Sequence, residues 1–433
     1  MMPKSLTLLQ CAGRERSSEN RIKERKVMKL EANKDRMLGR INKIKSYTSE
    51  EGKITRLTYS KCWAEAVKYV RSEMEKEGMS VRMDTFGNLI GNYNPGASKE
   101  KPIGIGSHLD SVKNAGAYDG VAGIVVGLEI VSMLHENGIT PRYPIEVLAT
   151  ADEEGAICQR GYFGGRFMTG DMSPEECLTY RNIDGKNIED LQKDCELFKD
   201  IKFGTDAGWA KDYYKAFYEV HVEQGGVMEE NGKDIGIVKG VVGIGRLFIE
   251  FTGESDHAGP TIMSVRKDAM VAASDFTLKA WEVGNMNNRK AVTTVARIEN
   301  TPNIHNVIAG KTKIVCDFRS EEDDLAVAIK DELKEYALSL KDKYGVGVEI
   351  AKEIYTPRKL FSEKLVNDLR NLNMPNSMEL FSWAGHDAKA FAEITDTCMV
   401  FMPSIGGKSH CPEEYTDMES FKLTCEQIIN LFI

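Results

Sequence analysis

Pro102-Ile103-Gly104-Ile105-Gly106-Ser107-His108-Leu109-Asp110-Ser111 is the stretch that decides the fold. A short apolar run ends in a histidine. This is the form of a buried strand in an open α/β sheet, whose carboxyl end is where such sheets place their ligands. Residues 120–134, punctuated by glycines, predict a helix packed against that sheet, and 145–150 predict the next strand. That strand hands over to Ala151-Asp152-Glu153-Glu154-Gly155, so both polar clusters face one side of the sheet. Upstream, residues 59–78 carry apolar positions at helical spacing, with Gly78 as the stop. Residues 81–84 and 89–91 read as strands around the Phe86-Gly87-Asn88 turn.

The pattern changes near Ile237. Alternation in Arg246-Leu247-Phe248-Ile249-Glu250-Phe251, a helix at about 266–282, strands near 293–297 and 313–319, and a helix at about 322–343 form a β-α-β-β-α-β series. The series closes at Val348-Glu349-Ile350 and predicts a four-stranded sheet with two helices on one face. The chain then returns to the first domain. The expected class is therefore α/β: a catalytic domain of residues 28–237 and 352–433, with an inserted α+β domain at 238–351 and a disordered leader at 1–27.

Composition narrows the function. A chain of 433 residues exceeds one ordinary core. A net charge of −9 gives no electrostatic reason to expect nucleic acid, and no apolar run reaches the length of a membrane span. The nine cysteines are scattered, without a Cys-x-x-Cys pair, and read as reduced thiols of a soluble cytoplasmic protein. Residues 1–40 hold eleven Lys/Arg against five Asp/Glu, a net of +6, without the apolar core of a secretory signal. The helix-like periodicity begins just after Met28, which makes that residue an alternative start.

Metal-binding residue types recur in fixed order where strand-like runs give way to turns: His108 and Asp110, Asp119, Glu153-Glu154, His221 and His410. Two cations a few ångströms apart need a shared carboxylate to offset their repulsion, terminal ligands on each, and an open position for a water whose pKa falls toward neutrality. Asp119 is the natural bridge, with His108 and His221 on one ion and Glu154 and His410 on the other. Glu153 diverges from its neighbour and is free to act as general base. Asp110, on the same side of an extended chain as His108, suits the task of holding the imidazole tautomer. Taken singly, each of these residues reads as a hydrogen-bonded core histidine or a solvated carboxylate; the joint order carries the metal reading. The donor set of imidazoles and carboxylates suits two divalent ions, zinc by default, with manganese, cobalt or nickel also compatible.

Further motifs give a resemblance. Tyr118-Asp119-Gly120, His221-Val222-Glu223-Gln224-Gly225, His257-Ala258-Gly259, Asn306-Val307-Ile308, Ala384-Gly385-His386-Asp387-Ala388 and Pro403-Ser404-Ile405-Gly406-Gly407 before Ser409-His410 resemble the M20 clan of di-metal aminoacylases and peptidases. Within it they resemble the branch of amidases that cleave N-carbamoyl-amino acids and ureido compounds. The resemblance runs from about residue 30 to the C-terminus and implies that the inserted domain serves as lid and dimer surface. It also implies substrate contacts. Arg319 offers a bidentate fork for a carboxylate, Gln224 and Asn306 donate to a carboxylate or ureido carbonyl, and His257 stabilises an oxyanion. Gly385 and Gly406 join them. For Arg319 the alternative is a surface ion pair with Asp317 or Glu321. Pro260-Thr261-Ile262-Met263 departs from the branch, which has Thr-Thr-Pro-Met at the lid loop.

The expectation is a homodimeric metal-dependent amidohydrolase that cleaves the ureido C–N bond of an N-carbamoyl-L-amino acid, with allantoate as the competing substrate. A dipeptidase or aminoacylase is a more distant alternative, disfavoured by the Glu-Gln-Gly after His221. A non-catalytic binding protein of the same fold would be expected to lack the base or a ligand, and this chain has both.

Overall fold

The computed structural model describes residues 30–157, 160–287 and 289–433; the leader expected at 1–27 lies outside them. Strands follow in the order β1 (Ser80–Met83), β2 (Leu89–Tyr93), β3 (Ile103–His108), β4 (Ile145–Thr150), β5 (Ala216–Val222), β6 (Ile235–Val241) and β7 (Gly243–Thr252). Then come β8 (Ala291–Thr301), β9 (Lys311–Ser320), β10 (Gly347–Thr356), β11 (Lys359–Leu360), β12 (Ser377–Ser382) and β13 (Thr397–Met402). Nine of them form one sheet in the order β1-β2-β4-β3-β5-β13-β6-β11, with β12 also paired to β6.

The centre of this sheet positions the site. β4, β3, β5 and β13 are mutually parallel, with His108 opposite Thr150 and Phe401 opposite His221. Every residue of these four strands is buried, as expected of parallel strands covered by helices on both faces. The Val121–Glu136 helix is apolar on all sides and buries fourteen residues, the pattern of a core helix rather than a surface one. It lies close enough to the sheet that a Cβ on Gly123 would stand 2.2 Å from the carbonyl oxygen of Val220. From its other side Glu129, fully buried, holds the Lys34–Lys45 helix through Arg36 at 2.8 Å and Arg40 at 3.4 Å. The Lys61–Lys76 helix starts where the Ser60 side chain accepts from Trp63 N–H, and the chain turns out of it at Gly78.

The smaller sheet has the order β10-β7-β9-β8, antiparallel throughout. The Ala269–Met286 and Asp323–Tyr344 helices pack on it over Leu247, Phe251, Phe276, Phe318 and Leu333. The change of sheet comes later at both ends than residues 238 and 351. β6 continues to Val241 because it is held by β13, β12 and β11, and β10 runs on to Thr356 against β7. Among the described residues seven cysteines are free, and no helix is long and apolar enough to cross a membrane.

Candidate metal centre

Because the four central strands are parallel, their carboxyl ends open on one side, and the chain leaving each supplies a ligand or a base. β3 ends in His108; β4 leads into Glu153 and Glu154; His221 is the penultimate residue of β5; β13 leads into the loop of His410. Asp119 comes from the turn before the Val121–Glu136 helix. The structure brings the five expected ligands into two groups that share Asp119: His108, Asp119 and His221, and Asp119, Glu154 and His410, with the ligand atoms of each group within 4.8 Å of one another. Asp119 Oδ1 stands 3.1 Å from His108 Nε2 and 3.2 Å from His221 Nε2. Its Oδ2 stands 3.4 Å from His410 Nε2, which is 3.3 Å from Glu154 Oε2.

The side chains fit divalent cations. Nδ1 of His221 lies 2.8 Å from the Val222 carbonyl and Nδ1 of His108 lies 3.1 Å from the Asp110 carbonyl. Both Nδ1 atoms must therefore donate, which turns the two Nε2 atoms, 3.4 Å apart, toward Asp119 Oδ1; His221 Nε2 also accepts the Gly120 N–H at 3.2 Å. Glu154 Oε1 is buried with no hydrogen-bond partner. Burial pushes the Asp119 carboxyl up, but the facing imidazoles of His221 and His108 hold it well below the usual range. Burial likewise pushes His108 down and is overcome by Asp119, Glu153 and Asp110. The pocket demands positive charge, which protons or cations must supply. A Cβ on Gly120, at φ 67°, would stand 2.4 Å from His108 Nδ1, so the turn needs glycine to bring Asp119 to the ring.

Glu153 belongs to neither ligand group. Its Oε2 lies 3.9 Å from His108 Nε2. Burial first, then Glu154, Asp387 and Glu219, raise its carboxyl well above the usual range, opposed by His108. A buried carboxyl next to the ligand groups but in neither of them is placed to take up and return a proton. Asp152, Gln224 and His410 have φ of 55°, 62° and 56°, so three side chains at the site sit on left-handed backbone, a conformation that persists only where surroundings impose it.

Asp110 differs from expectation. Its carboxylate is 3.8 Å from His108 Nδ1, and the tautomer is fixed by its backbone carbonyl instead. The carboxylate accepts Glu153 N–H at 3.2 Å and Glu154 N–H at 3.3 Å, so it orients the base and a ligand together. The physical reason is the turn after β4, whose amides point at Asp110 and compete for its lone pairs.

The substrate contacts divide. Gln224 donates to Asp119 Oδ2 at 2.8 Å, and its buried Oε1 has no partner. Arg319 Nε is 2.9 Å from Asp317, and its Nη1 donates to the Trp383 carbonyl, so the alternative pairing with Asp317 is realised and Nη2 alone has no hydrogen bond among the described residues. Gln224, Arg319, Ser409 and His410 line one cleft of about 650 Å³. The loops of His257 and Asn306 meet, through Ala258 N–H to the Asn306 carbonyl at 2.9 Å, but neither residue lines that cleft and both are exposed. Gly385 packs near the Tyr162 ring, and Gly406 donates its N–H to Glu229.

Three supports escaped the sequence reading. Glu414 accepts the N–H groups of Tyr118 and Asp119 at 2.8 and 2.9 Å, and its other oxygen meets the Ser409 hydroxyl at 2.8 Å. It thereby fastens the Asp119 turn to the His410 loop. Ser409 Oγ also reaches Asp119 Oδ2 at 2.6 Å. Arg56, fully buried beneath Asp110, donates to the Leu109 carbonyl at 2.7 Å, and burial pushes its guanidinium down to about 10. The acidic residue four positions after His410, and an arginine before an apolar helix, are the faint signals that could have marked two of them.

Two groups of candidate metal ligands share one aspartate at the carboxyl ends of an open α/β sheet, an arrangement suited to a metal-dependent hydrolase. More narrowly, residues 104–432 match Peptidase family M20/M25/M40, and the chain belongs to that family. It is 32% identical over 407 residues to an N-carbamoyl-L-amino-acid amidohydrolase of Paenarthrobacter aurescens, covering 92% of this chain and 97% of that protein. It is 32% identical over 370 residues to the allantoate amidohydrolase of Escherichia coli K12, covering 85% and 89%. A crystal structure of an amidase of the hydantoinase/carbamoylase family from Burkholderia multivorans superposes with a TM-score of 0.83 at 26% identity, covering 93% and 97%.

Proposed function

We propose that the protein is a metal-dependent amidohydrolase that cleaves the ureido C–N bond of an N-carbamoyl-L-amino acid, with release of ammonia, carbon dioxide and the amino acid. The observation that carries this reading is the placement of Glu153, a buried carboxyl 3.9 Å from His108 Nε2 but in neither ligand group. His108, Asp119 and His221 would hold one divalent ion, and Asp119, Glu154 and His410 the other; the nitrogen and oxygen donors suit zinc, with manganese, cobalt or nickel compatible. The ions, when bound, supply a water of lowered pKa and polarise the ureido carbonyl. Glu153 takes the proton of the attacking water and delivers it to the departing nitrogen. Asp110 keeps Glu153 and Glu154 in register through their amides. The C–N bond breaks, ammonia leaves, and the remaining carbamate falls apart to carbon dioxide and the amino acid.

Arg319, Gln224, Gly385 and Gly406 are assigned to the substrate carboxylate and ureido group. His257 and Asn306 are exposed on the smaller domain, which fits an action in the cleft of a second subunit. That subunit would dock on the Ala269–Met286 helix, where Val271, Leu278 and Trp281 are 45%, 68% and 68% exposed and share one face. The free buried cysteines suit a reducing compartment and thus the cytoplasm. Allantoate is the second reading, favoured by the equal identity of the Escherichia coli relative. Ammonia release from allantoate against a panel of N-carbamoyl-L-amino acids tests the choice. Turnover of the carbamoyl acids above allantoate supports the first reading, a reversed preference supports the second, and no ammonia from either rejects both.

A further inference from the structure

The cleft beside the metal centre has two unlike walls. One is polar and belongs to the centre: Gln224, Ser409 and His410. The other is apolar and is assembled from both domains: Val227 after β5, Val292 on β8, Leu380 and Phe381 on β12, and Trp383 just beyond it. Three of the four charged groups in the same cleft meet partners inside the chain, with Arg319 Nη2 left over; the fourth, Glu321, adds a carboxylate to the lining. Glu223 accepts the N–H groups of Val227 and Met228 at 2.7 and 2.9 Å, Arg289 meets Glu230 at 2.7 Å, and Arg319 meets Asp317 at 2.9 Å. What the second wall offers an incoming molecule is therefore apolar area. Val227 and Val292 are 37% and 43% exposed.

We infer that this wall, Val227, Val292, Leu380, Phe381 and Trp383, is a subsite for a bulky aliphatic or aromatic side chain on the ureido acid. The inference rests on the reading of the site as a ureido hydrolase and specifies its substrate class. An acid bound with its ureido group toward His410 and its carboxylate toward Arg319 projects its side chain along the wall between them. A phenyl or isobutyl group gains there by leaving water. The second ureido group of allantoate would lose its water and find on the same five side chains one donor, the Trp383 indole N–H, and no acceptor.

Two measurements on the metal-loaded protein test this. The first compares kcat/KM for N-carbamoyl-L-phenylalanine, N-carbamoyl-L-leucine, N-carbamoylglycine and allantoate. The bulky substrates should exceed the glycine compound by at least about tenfold, the scale of burying one large apolar group. In Trp383→Ala, and in Val292→Ser at an exposed strand position, that ratio should fall by at least about threefold. A ratio near one, allantoate as the best substrate, or an equal loss on all four compounds in both variants overturns the subsite. The second measures binding of 3-phenylpropionate against propionate by calorimetry, which requires no hydrolysis. Tighter binding of the aryl acid, with no ammonia from any ureido compound, keeps the subsite and rejects the enzymatic reading; hydrolysis with equal binding of the two acids does the reverse.

Discussion

The proposed mechanism gives Glu153 and Asp119 different parts of the chemistry, and single substitutions separate them. Glu153→Gln should retain both ions by elemental analysis and keep substrate affinity while lowering kcat at least about a hundredfold, the scale of general-base catalysis; loss of an ion, or near-normal turnover, contradicts the assignment. Asp119→Ala removes the carboxylate common to both ligand groups and should lower occupancy of both sites, whereas His410→Ala should chiefly empty one. Equal single-ion losses would show that the bridge lies elsewhere. The two candidate ligand groups were legible in the sequence because each member stands where an apolar run breaks into a turn, and a strand end fixes where its side chain arrives. Glu414 was not legible, since its role comes from accepting an amide 295 residues away, a meeting that no local pattern encodes. Arg319 shows the same limit from the other side: its pairing with Asp317, two residues back on β9, was legible, but its bond to the Trp383 carbonyl comes from 64 residues away.

At the scale of elements, the site depends on helices that keep the parallel strands buried. The Val121–Glu136 helix both begins beside Asp119 and carries Glu129, whose carboxylate is buried against Arg36 and Arg40. Removing one partner of a buried ion pair leaves an uncompensated charge. Glu129→Ala should therefore cost about 3 kcal/mol in urea unfolding, and a loss under about 1 kcal/mol would mean that water replaces the pairing. β3, β4 and the helix between them were readable from an apolar run, a glycine-punctuated run and a second apolar run. The end of β6 was not. Near Ile237 the sequence changes from one alternation to another, but which sheet claims 238–241 is decided by β12 and β13, supplied more than a hundred residues later.

For the whole molecule, the smaller domain's β-α-β-β-α-β order followed from periodicity alone, because an antiparallel sheet with one covered face alternates residue by residue. What its outer surface meets is not a matter of periodicity. If the Ala269–Met286 helix forms the subunit contact, Trp281→Glu should shift the protein from dimer to monomer in sedimentation equilibrium, and turnover should fall with it as His257 and Asn306 lose the facing cleft. A monomeric variant with full activity would place those residues outside catalysis. The central claim, that two divalent ions held by five residues of the sheet's carboxyl edge drive ureido hydrolysis, is tested most directly by ammonia release from an N-carbamoyl-L-amino acid before and after metal removal. Chelation should abolish release, and titration with zinc or manganese should restore it up to two equivalents per chain. Ammonia release that persists in the metal-free protein, or that never appears in the loaded one, would contradict the account.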